Sequence, residues 1–398
     1  MEMPKYFDAG SGRVCRLLRS LYGLKQAPLI WYQVLDKHLR SCGFQRSKMD
    51  NGVYWRVVGG STIFLTVYVD DIIIAASVEN IKLVIGELED KFKLKDLGHV
   101  KLLLGMEINY VPGQVMWISQ CGQIEKMLRR FGMENCRAVP TPQTVGELPM
   151  PATSDGEGVN DPDLPYRAIV GCLQYLVQGS RPELANAVRT LGKYLNKYTR
   201  ENFVMEKRVL RGKEIMGLCC TKWWSPDLHF VAYADADLGN EKDGRYSIPG
   251  YVLQVNGCTY AYKSRRQRIV TDDTCCAEFV AASKCSIMII WTHNLCKELN
   301  LKRHVPTILY QDNQAAITVL TKIKGKYKTK SVDLKYHKVR DYHERGEFEV
   351  RYCPTTAMLA DIFTKALEPK VFFKFREQLN VMPLPIAFSD GEASEGDN

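Results

Sequence analysis

The chain has 398 residues, of which 45% are hydrophobic and 25% charged, which is ordinary for a folded protein of two or three domains. The formal net charge of +9 is a mild basic excess that favours polyanionic partners without identifying one. Sequence inspection finds no apolar run near the roughly 20 residues of a membrane span, so we expect no membrane partner.

The first region of the chain, residues 1–139, mixes helical patterns with β-branched runs. Its clearest predicted elements are a helix, two strands and a second helix, at residues 31–42, 63–69, 72–75 and 78–93. The two apolar strands flank Asp70 and Asp71, which predicts a hairpin with both carboxylates at its tip. Clustered carboxylates hold the divalent cations of phosphoryl transferases, but two acids in a turn are also ordinary turn chemistry.

The middle of the chain changes composition twice. Residues 140–165 are rich in Pro, Gly, Ser, Thr and acids and show no sustained period, which predicts a linker. Residues 166–227 carry apolar side chains at helix-like intervals, which predicts a helical connection.

The third region, residues 228–369, reads strand, strand, strand, helix, strand, helix, helix, strand, helix. This order predicts a mixed five-stranded sheet with helices, and the whole chain falls in the α+β or α/β class. The predicted strands and the long helix cover residues 229–236, 251–255, 259–263, 307–311, 348–353 and 275–299. Residues 370–398 are predicted to form a tail whose acidic end is disordered.

Acidic residues lie at element ends throughout the third region. Asp235 and Asp237 end the first strand on one face, Glu278 lies near the start of the long helix, and Asp312 follows the fourth strand. Asp361 is placed on the final helix. Each has an alternative role: Asp312 as a helix N-cap, for example, or Glu278 as a partner of the helix dipole.

Several strings of the first region, taken in order, are similar to the Pol polyproteins of copia-type LTR retrotransposons. They are Ser20–Pro28, Tyr68–Asp71, Phe92–Gly98, Leu104–Ile108, Ile118–Gln120 and Arg130–Met133. The resemblance implies a reverse transcriptase palm and thumb in residues 1–139, with Asp70 and Asp71 as catalytic metal ligands. Lys25 and Gln26 would then approach the incoming nucleotide and the primer-template.

The same family carries a further catalytic aspartate on a strand ahead of this segment. Residues 1–7 resemble the stretch just after that strand, so the palm is read as N-terminally truncated. We therefore expect the chain alone to lack DNA polymerase activity, because two-metal catalysis loses a shared ligand. A missing N-terminal polymerase part, acting in trans, remains an alternative partner.

For the third region the resemblance implies a ribonuclease H domain that cleaves RNA in RNA–DNA hybrids. Asp235, Glu278, Asp312 and Asp361 would hold two Mg²⁺ ions, or Mn²⁺ in their place, with Asp237 as a spare ligand. Basic residues are expected to contact the nucleic acid, with a solvated surface as the alternative. They are Lys263, Arg265, Arg266, Lys328 and Lys330.

Two further expectations concern the rival function and the compartment. The alternative to an active nuclease is a non-catalytic nucleic-acid-binding remnant or a degenerate transposon product. The 13 cysteines include no C-x-x-C pair, and the adjacent pairs at residues 219–220 and 275–276 are unsuited to ordinary disulfides. We expect reduced thiols in an intracellular protein, cytoplasmic or nuclear and not secreted.

Overall fold

A computed structural model gives the fold of the chain in two compact units, Met1–His99 and Val100–Asn398. The structure describes residues 14, 16–18, 20–21, 23–147, 159–212, 215–222, 225–239, 245–268, 271, 273–321, 338–385 and 388. Residues 1–7, the acidic end at residues 389–398, and Lys328 and Lys330 lie outside these ranges.

The first unit is a four-stranded antiparallel sheet with two helices. Its elements are α1 (Ala27–Ser41), β1 (Gln45–Arg46), β2 (Val53–Val58), β3 (Ser61–Tyr68), β4 (Asp71–Ala75) and α2 (Val78–Glu89), and the strand order is β1-β2-β3-β4. Alternate residues of β3, such as Ile63 and Leu65, are buried against Leu35 and Leu39 of α1. The helix α2 begins at Ser77, whose side chain accepts a hydrogen bond from the amide of Asn80.

The second unit contains two five-stranded sheets and a group of helices. Its elements in chain order are β5 (Leu102–Leu103), β6 (Met106–Val111), β7 (Val115–Ser119), α3 (Cys121–Arg130), α4 (Tyr166–Gly179), α5 (Ala185–Gly192), α6 (Arg200–Leu210), β8 (Gly217–Thr221), β9 (Phe230–Asp237), β10 (Ile248–Val255), β11 (Cys258–Ser264), α7 (Thr274–Glu298), β12 (Thr307–Gln311), α8 (Gln314–Thr321), α9 (338–344), β13 (Phe348–Tyr352), α10 (Pro369–Gln378) and β14 (Val381–Met382). Short 3₁₀ helices cover Pro182–Leu184, Thr355–Ala357 and Leu359–Phe363.

The predicted mixed sheet is confirmed, with strand order β11-β10-β9-β12-β13. Strand β10 runs antiparallel to both of its neighbours, β9 and β11, whereas β12 is parallel to both β9 and β13. The long helix α7 packs on this sheet through small residues such as Ala277 and Ala281, which are fully buried. Because parallel neighbours end at the same edge, the carboxyl ends of β9 and β12 lie side by side.

Helix α7 is long and apolar enough to cross a membrane by length and composition, and 56% of its most apolar stretch is buried inside the protein. The sequence predicted the length of this helix but not a candidate membrane span, because polar residues such as Ser283 and Lys284 interrupt its apolar run. In the fold the helix contributes Phe279, Ala282 and Ile289 to the core that contains strands β9 and β10. Its composition is that of a helix buried against a sheet.

The other five-stranded sheet joins segments that are far apart in the chain. Its order is β14-β8-β7-β6-β5, and every pairing in it is antiparallel. The strand β14 belongs to the predicted tail, and the ring N–H of Trp117 donates to the carbonyl of Met382 at 3.1 Å. Phe372 and Phe375 are also buried, so residues 369–382 are folded. The sequence-based domain boundaries themselves stay a prediction.

One cysteine pair departs from the expectation of reduced thiols. Cys220 of β8 and Cys258 of β11 form a disulfide, with Cα atoms 5.1 Å apart, that links the two five-stranded sheets. The neighbour Cys219 is free and buried. Adjacent strand residues point to opposite faces, so each member of an adjacent pair meets a different environment.

Helix α6 carries a carboxyl group in the apolar core. Glu206 has 0% exposure, and burial raises its pKa from 4.5 to about 9. The folded protein therefore holds a proton that the unfolded chain releases above pH 4.5, so folding is favoured at low pH. The contribution of Glu206 to the free energy of unfolding declines as pH rises toward 9, by up to about 1.4 kcal/mol per pH unit.

We expect Glu206→Gln to flatten this pH dependence, because the amide cannot ionise. The measurement is urea unfolding of wild type and variant at intervals between pH 5.5 and 9. Glu201→Gln, an exposed change at the start of the same helix, serves as the matched control. Equal pH slopes for Glu206→Gln and wild type would show that Glu206 does not carry the effect.

Candidate active site

Three carboxylates converge at the edge where β9 and β12 end. Asp235 lies two residues before the end of β9, Glu278 lies in α7, and Asp312 directly follows β12. Each offers one oxygen, and these three oxygens lie within 4.8 Å of one another. Asp235 and Glu278 are each 4% exposed, and Asp312 is half-buried. The structure thus brings together three of the four acids selected as ligands from the sequence.

Glu278 is held in this group by Gln311, the last residue of β12. The amide nitrogen of Gln311 donates to Glu278 Oε2 at 3.2 Å, and its amide oxygen accepts from the backbone N–H of Asp312 at 2.8 Å. Helix α7 starts at Thr274 and is capped by Asp273, so Glu278 lies beyond the first turn. The helix-dipole role does not fit, because that effect falls off within the first turn.

Asp312 is also free of the capping role that was its alternative. Asn313 caps α8, since its side-chain oxygen accepts from the amide of Ala316 at 2.9 Å. The Asp312 carboxylate instead accepts from the hydroxyl of Thr355 at 2.8 Å. This bond ties the loop after β13 to the acidic group.

The fourth acid, Asp361, lies beside Asp235 but is engaged differently. It belongs to the 3₁₀ helix Leu359–Phe363, and its Oδ2 forms an ion pair with Nζ of Lys365 at 2.9 Å. Its Oδ1 is buried and has no hydrogen-bond partner among the described residues. Thr364 connects the two acids, donating to Asp235 Oδ2 at 2.5 Å and contacting the carbonyl of Asp361 at 3.1 Å.

Gly250 permits this close approach of the 3₁₀ helix to the sheet. It pairs with Asp235 across β9 and β10. A Cβ atom at Gly250 would lie 2.7 Å from both Phe363 Cβ and Thr364 Cγ2, and 3.2 Å from the carbonyl oxygen of Ala360. The absence of a side chain therefore sets the depth at which Asp361 sits.

Lys365 balances only part of the negative charge of the acidic group. Burial, and then the charges of Asp235 and Asp312, raise the pKa of Glu278 to about 10. Burial and the charge of Asp235 raise the pKa of Asp361 to about 8, although Lys365 opposes the shift. Burial also raises the pKa of Asp312. Buried like charges destabilise their ionised forms, and a bound cation removes that cost.

The residues present fit divalent cations. All donors are carboxylate oxygens, the hard ligands that Mg²⁺ prefers. The unpartnered Oδ1 of Asp361 adds a free acceptor next to the three converging oxygens. Asp237, the spare candidate, is not in that group of three, and its charge acts on Lys365.

The carboxylates of the first unit are placed differently. Tyr68 and Asp71 pair across the predicted hairpin, and Asp70 lies in its two-residue turn. Both acids are exposed, and within the described ranges no third ligand side chain joins them. Lys25 and Gln26 are exposed just before α1. The hairpin is as predicted, and the proposed roles of these four residues stay predictions.

The basic residues at the end of β11 and directly after it are exposed at the sheet edge. Lys263 pairs with Tyr251, and the amide of Arg265 donates to the carbonyl of Pro249 at 3.2 Å. The guanidinium of Arg266 lies over the ring of Tyr246 at 4.7 Å. Exposure is compatible with phosphate contacts and with a solvated surface alike.

Sequence analysis assigned no role to four residues that support the acidic group. They are Gln311, Thr355, Thr364 and Lys365. Only chain adjacency signalled two of them, because Gln311 precedes Asp312 and Thr364 follows Asp361 by three positions.

The chain is similar in sequence to known proteins. The family described as reverse transcriptase (RNA-dependent DNA polymerase) matches residues 1–145. The retrovirus-related Pol polyprotein from transposon TNT 1-94 of Nicotiana tabacum is 32% identical over 95% of this chain, which spans 29% of that protein. A putative transposon Ty5-1 protein of Saccharomyces cerevisiae is 29% identical, with 68% of this chain and 88% of that protein covered.

A solved structure, the N-terminal RNase H domain of a Mycobacterium tuberculosis protein, aligns with 38% of this chain and 98% of its own. Its TM-score is 0.26 and its sequence identity 12%. The fold of the mixed sheet is therefore assigned from the observed order and directions of its strands.

Proposed function

Because the chain belongs to the Pol polyproteins of copia-type retrotransposons, we propose that its mixed sheet carries a ribonuclease H that cuts the RNA strand of RNA–DNA hybrids. The observation that carries the proposal is the meeting of Asp235, Glu278 and Asp312, from three separate elements, within 4.8 Å. Buried carboxylates whose charge is only partly balanced are costly, and such a group persists where a function needs it.

The residues have distinct parts in this reaction. Asp235 and Glu278, both buried, would hold the ions, and Gln311 fixes the carboxylate of Glu278. Asp312 is half-buried, so it would be the ligand most accessible to a substrate phosphate. Bound Mg²⁺, or Mn²⁺ in its place, would supply an activated water and stabilise the departing ribose oxygen.

The experiment is cleavage of a labelled RNA–DNA hybrid by the purified chain with Mg²⁺. We expect RNA fragments from the hybrid, none from a DNA duplex of the same sequence, and none when a chelator removes the metal. A well-folded chain that leaves the hybrid intact in Mg²⁺ and in Mn²⁺ would refute the nuclease.

The second candidate is a nucleic-acid-binding remnant without turnover, favoured by the net charge of +9 and the exposed basic residues after β11. It predicts hybrid binding whose affinity falls steeply with salt, and no product. For the first unit we propose that Asp70 and Asp71 do not support polymerisation by themselves, since two exposed carboxylates form an incomplete two-metal site.

A further inference from the structure

Among the ion pairs of the described residues given above, only the one between Lys365 and Asp361 involves the acidic group. The Nζ of Lys365 lies 2.9 Å from Asp361 Oδ2, four residues back in the chain. The charges of Asp235 and Asp237 also act on it. In the protein without metal, this ammonium group supplies part of the positive charge that the carboxylates lack.

A second carboxylate is available to the same lysine. Glu183, on the 3₁₀ helix Pro182–Leu184, is 2% exposed, and its Oε1 accepts from Arg181 Nε at 2.5 Å. Its Oε2 is buried without a hydrogen-bond partner among the described residues. Glu183 and Lys365 line one small cavity of about 10 Å³, together with Asn186 and Gln143.

Lys365 is thus paired with Asp361 and lines a cavity with Glu183, whose other oxygen is paired with Arg181. Four rotatable side-chain bonds let a lysine ammonium reach different acceptors from one backbone position. An unpartnered buried carboxylate oxygen costs free energy until a donor reaches it. Lys365 can thus form an ion pair with Asp361 or with Glu183, and the two arrangements are alike in kind.

We propose that Lys365 occupies the place of a metal ion at Asp361 and moves to Glu183 when a cation binds there. Lys365 and Glu183 are positioning residues, because they act through Asp361. This proposal rests on the ribonuclease H function, and it couples the helical connection to the state of the acidic group. Glu183 belongs to the connection, whereas Asp361 and Lys365 belong to the sheet domain.

The test is Mn²⁺ titration of the full chain by calorimetry, comparing wild type with Lys365→Met. Without an ammonium to displace, we expect the more weakly bound ion to bind at least about 10-fold tighter, together with a lower Tm in the absence of metal. Arg345→Met removes another ion pair of the same i, i+4 spacing, to Asp341, and is the matched control. It should leave the titration unchanged.

Glu183→Gln removes the second acceptor, and we expect it to weaken binding of that ion several-fold when Lys365 is present. In the Lys365→Met background the same change should have no effect, which a double-mutant cycle measures. If Glu183→Gln does not fold, the Nζ resonance of Lys365 in the wild-type protein replaces it, and this resonance should shift when Mg²⁺ is added.

The outcomes distinguish a failure of this proposal from a failure of the ribonuclease H function on which it rests. A wild-type chain that cleaves hybrid while Lys365→Met binds Mn²⁺ as wild type does would overturn the lysine exchange alone. A Lys365 resonance that stays unchanged with saturating Mg²⁺ would also overturn it. A wild-type chain that binds no ion and cleaves nothing would overturn both.

Discussion

Replacing Asp235 by asparagine is expected to lower the rate of hybrid cleavage at least about 100-fold, because the neutral amide cannot neutralise a bound cation. Asp235 lies at the centre of the acidic group. It belongs to the group of three oxygens within 4.8 Å, and it is the acid whose charge acts on both Glu278 and Asp361. The measurement is the initial rate of RNA cleavage at saturating Mg²⁺, with Mn²⁺ binding recorded in parallel.

Two matched variants make this result interpretable. Asp70→Asn changes an exposed carboxylate of the first unit, and Asp341→Asn changes an exposed carboxylate of α9. Both should keep wild-type cleavage. The Asp235 variant should keep its thermal stability or gain some, because one of several crowded carboxylates is neutralised. If Asp235→Asn cleaved the hybrid at the wild-type rate, the carboxylates of the acidic group would have no part in the mechanism.

Gly250→Ala is expected to cost stability and activity together. Its Cβ would lie 2.7 Å from Phe363 Cβ, so either the strand or the 3₁₀ helix Leu359–Phe363 must shift. Overpacking of this kind destabilises by about 1–3 kcal/mol. Displacement of the helix also moves Asp361 and the Thr364 hydroxyl away from Asp235. We expect hybrid cleavage to fall at least about 10-fold, since small misplacements are costly at active sites.

The matched control is Gly171→Ala in helix α4, where an added Cβ meets no atom within 4 Å. That change should be neutral or stabilising by up to about 1 kcal/mol, because alanine favours helix. Tm and cleavage rate measured on both variants separate a steric effect at Gly250 from a general effect of removing glycine. A Gly250→Ala protein with unchanged Tm and rate would contradict the packing described above.

Local pattern predicted the elements of the mixed sheet well. The strand at residues 307–311 was placed at its observed bounds, and the helix predicted at 275–299 is observed at Thr274–Glu298. Periods of two and of 3.6 residues are properties of a short window, so neighbouring residues suffice to reveal them. The sequence predicted no element at residues 369–382, because the pairing of β14 with β8 joins segments more than 160 residues apart.

The candidate site divides in the same way. The sequence by itself determined which acids lie at the ends of which elements, and the family resemblance selected Asp235, Glu278, Asp312 and Asp361 from them. Only the tertiary structure decided that three of these meet while Asp361 pairs with Lys365. The tertiary structure also decided that Asn313 caps helix α8, so that Asp312 is left to join the acidic group. The reason is physical: secondary structure follows from contacts along the chain, whereas distances between carboxylates follow from packing at positions such as Gly250.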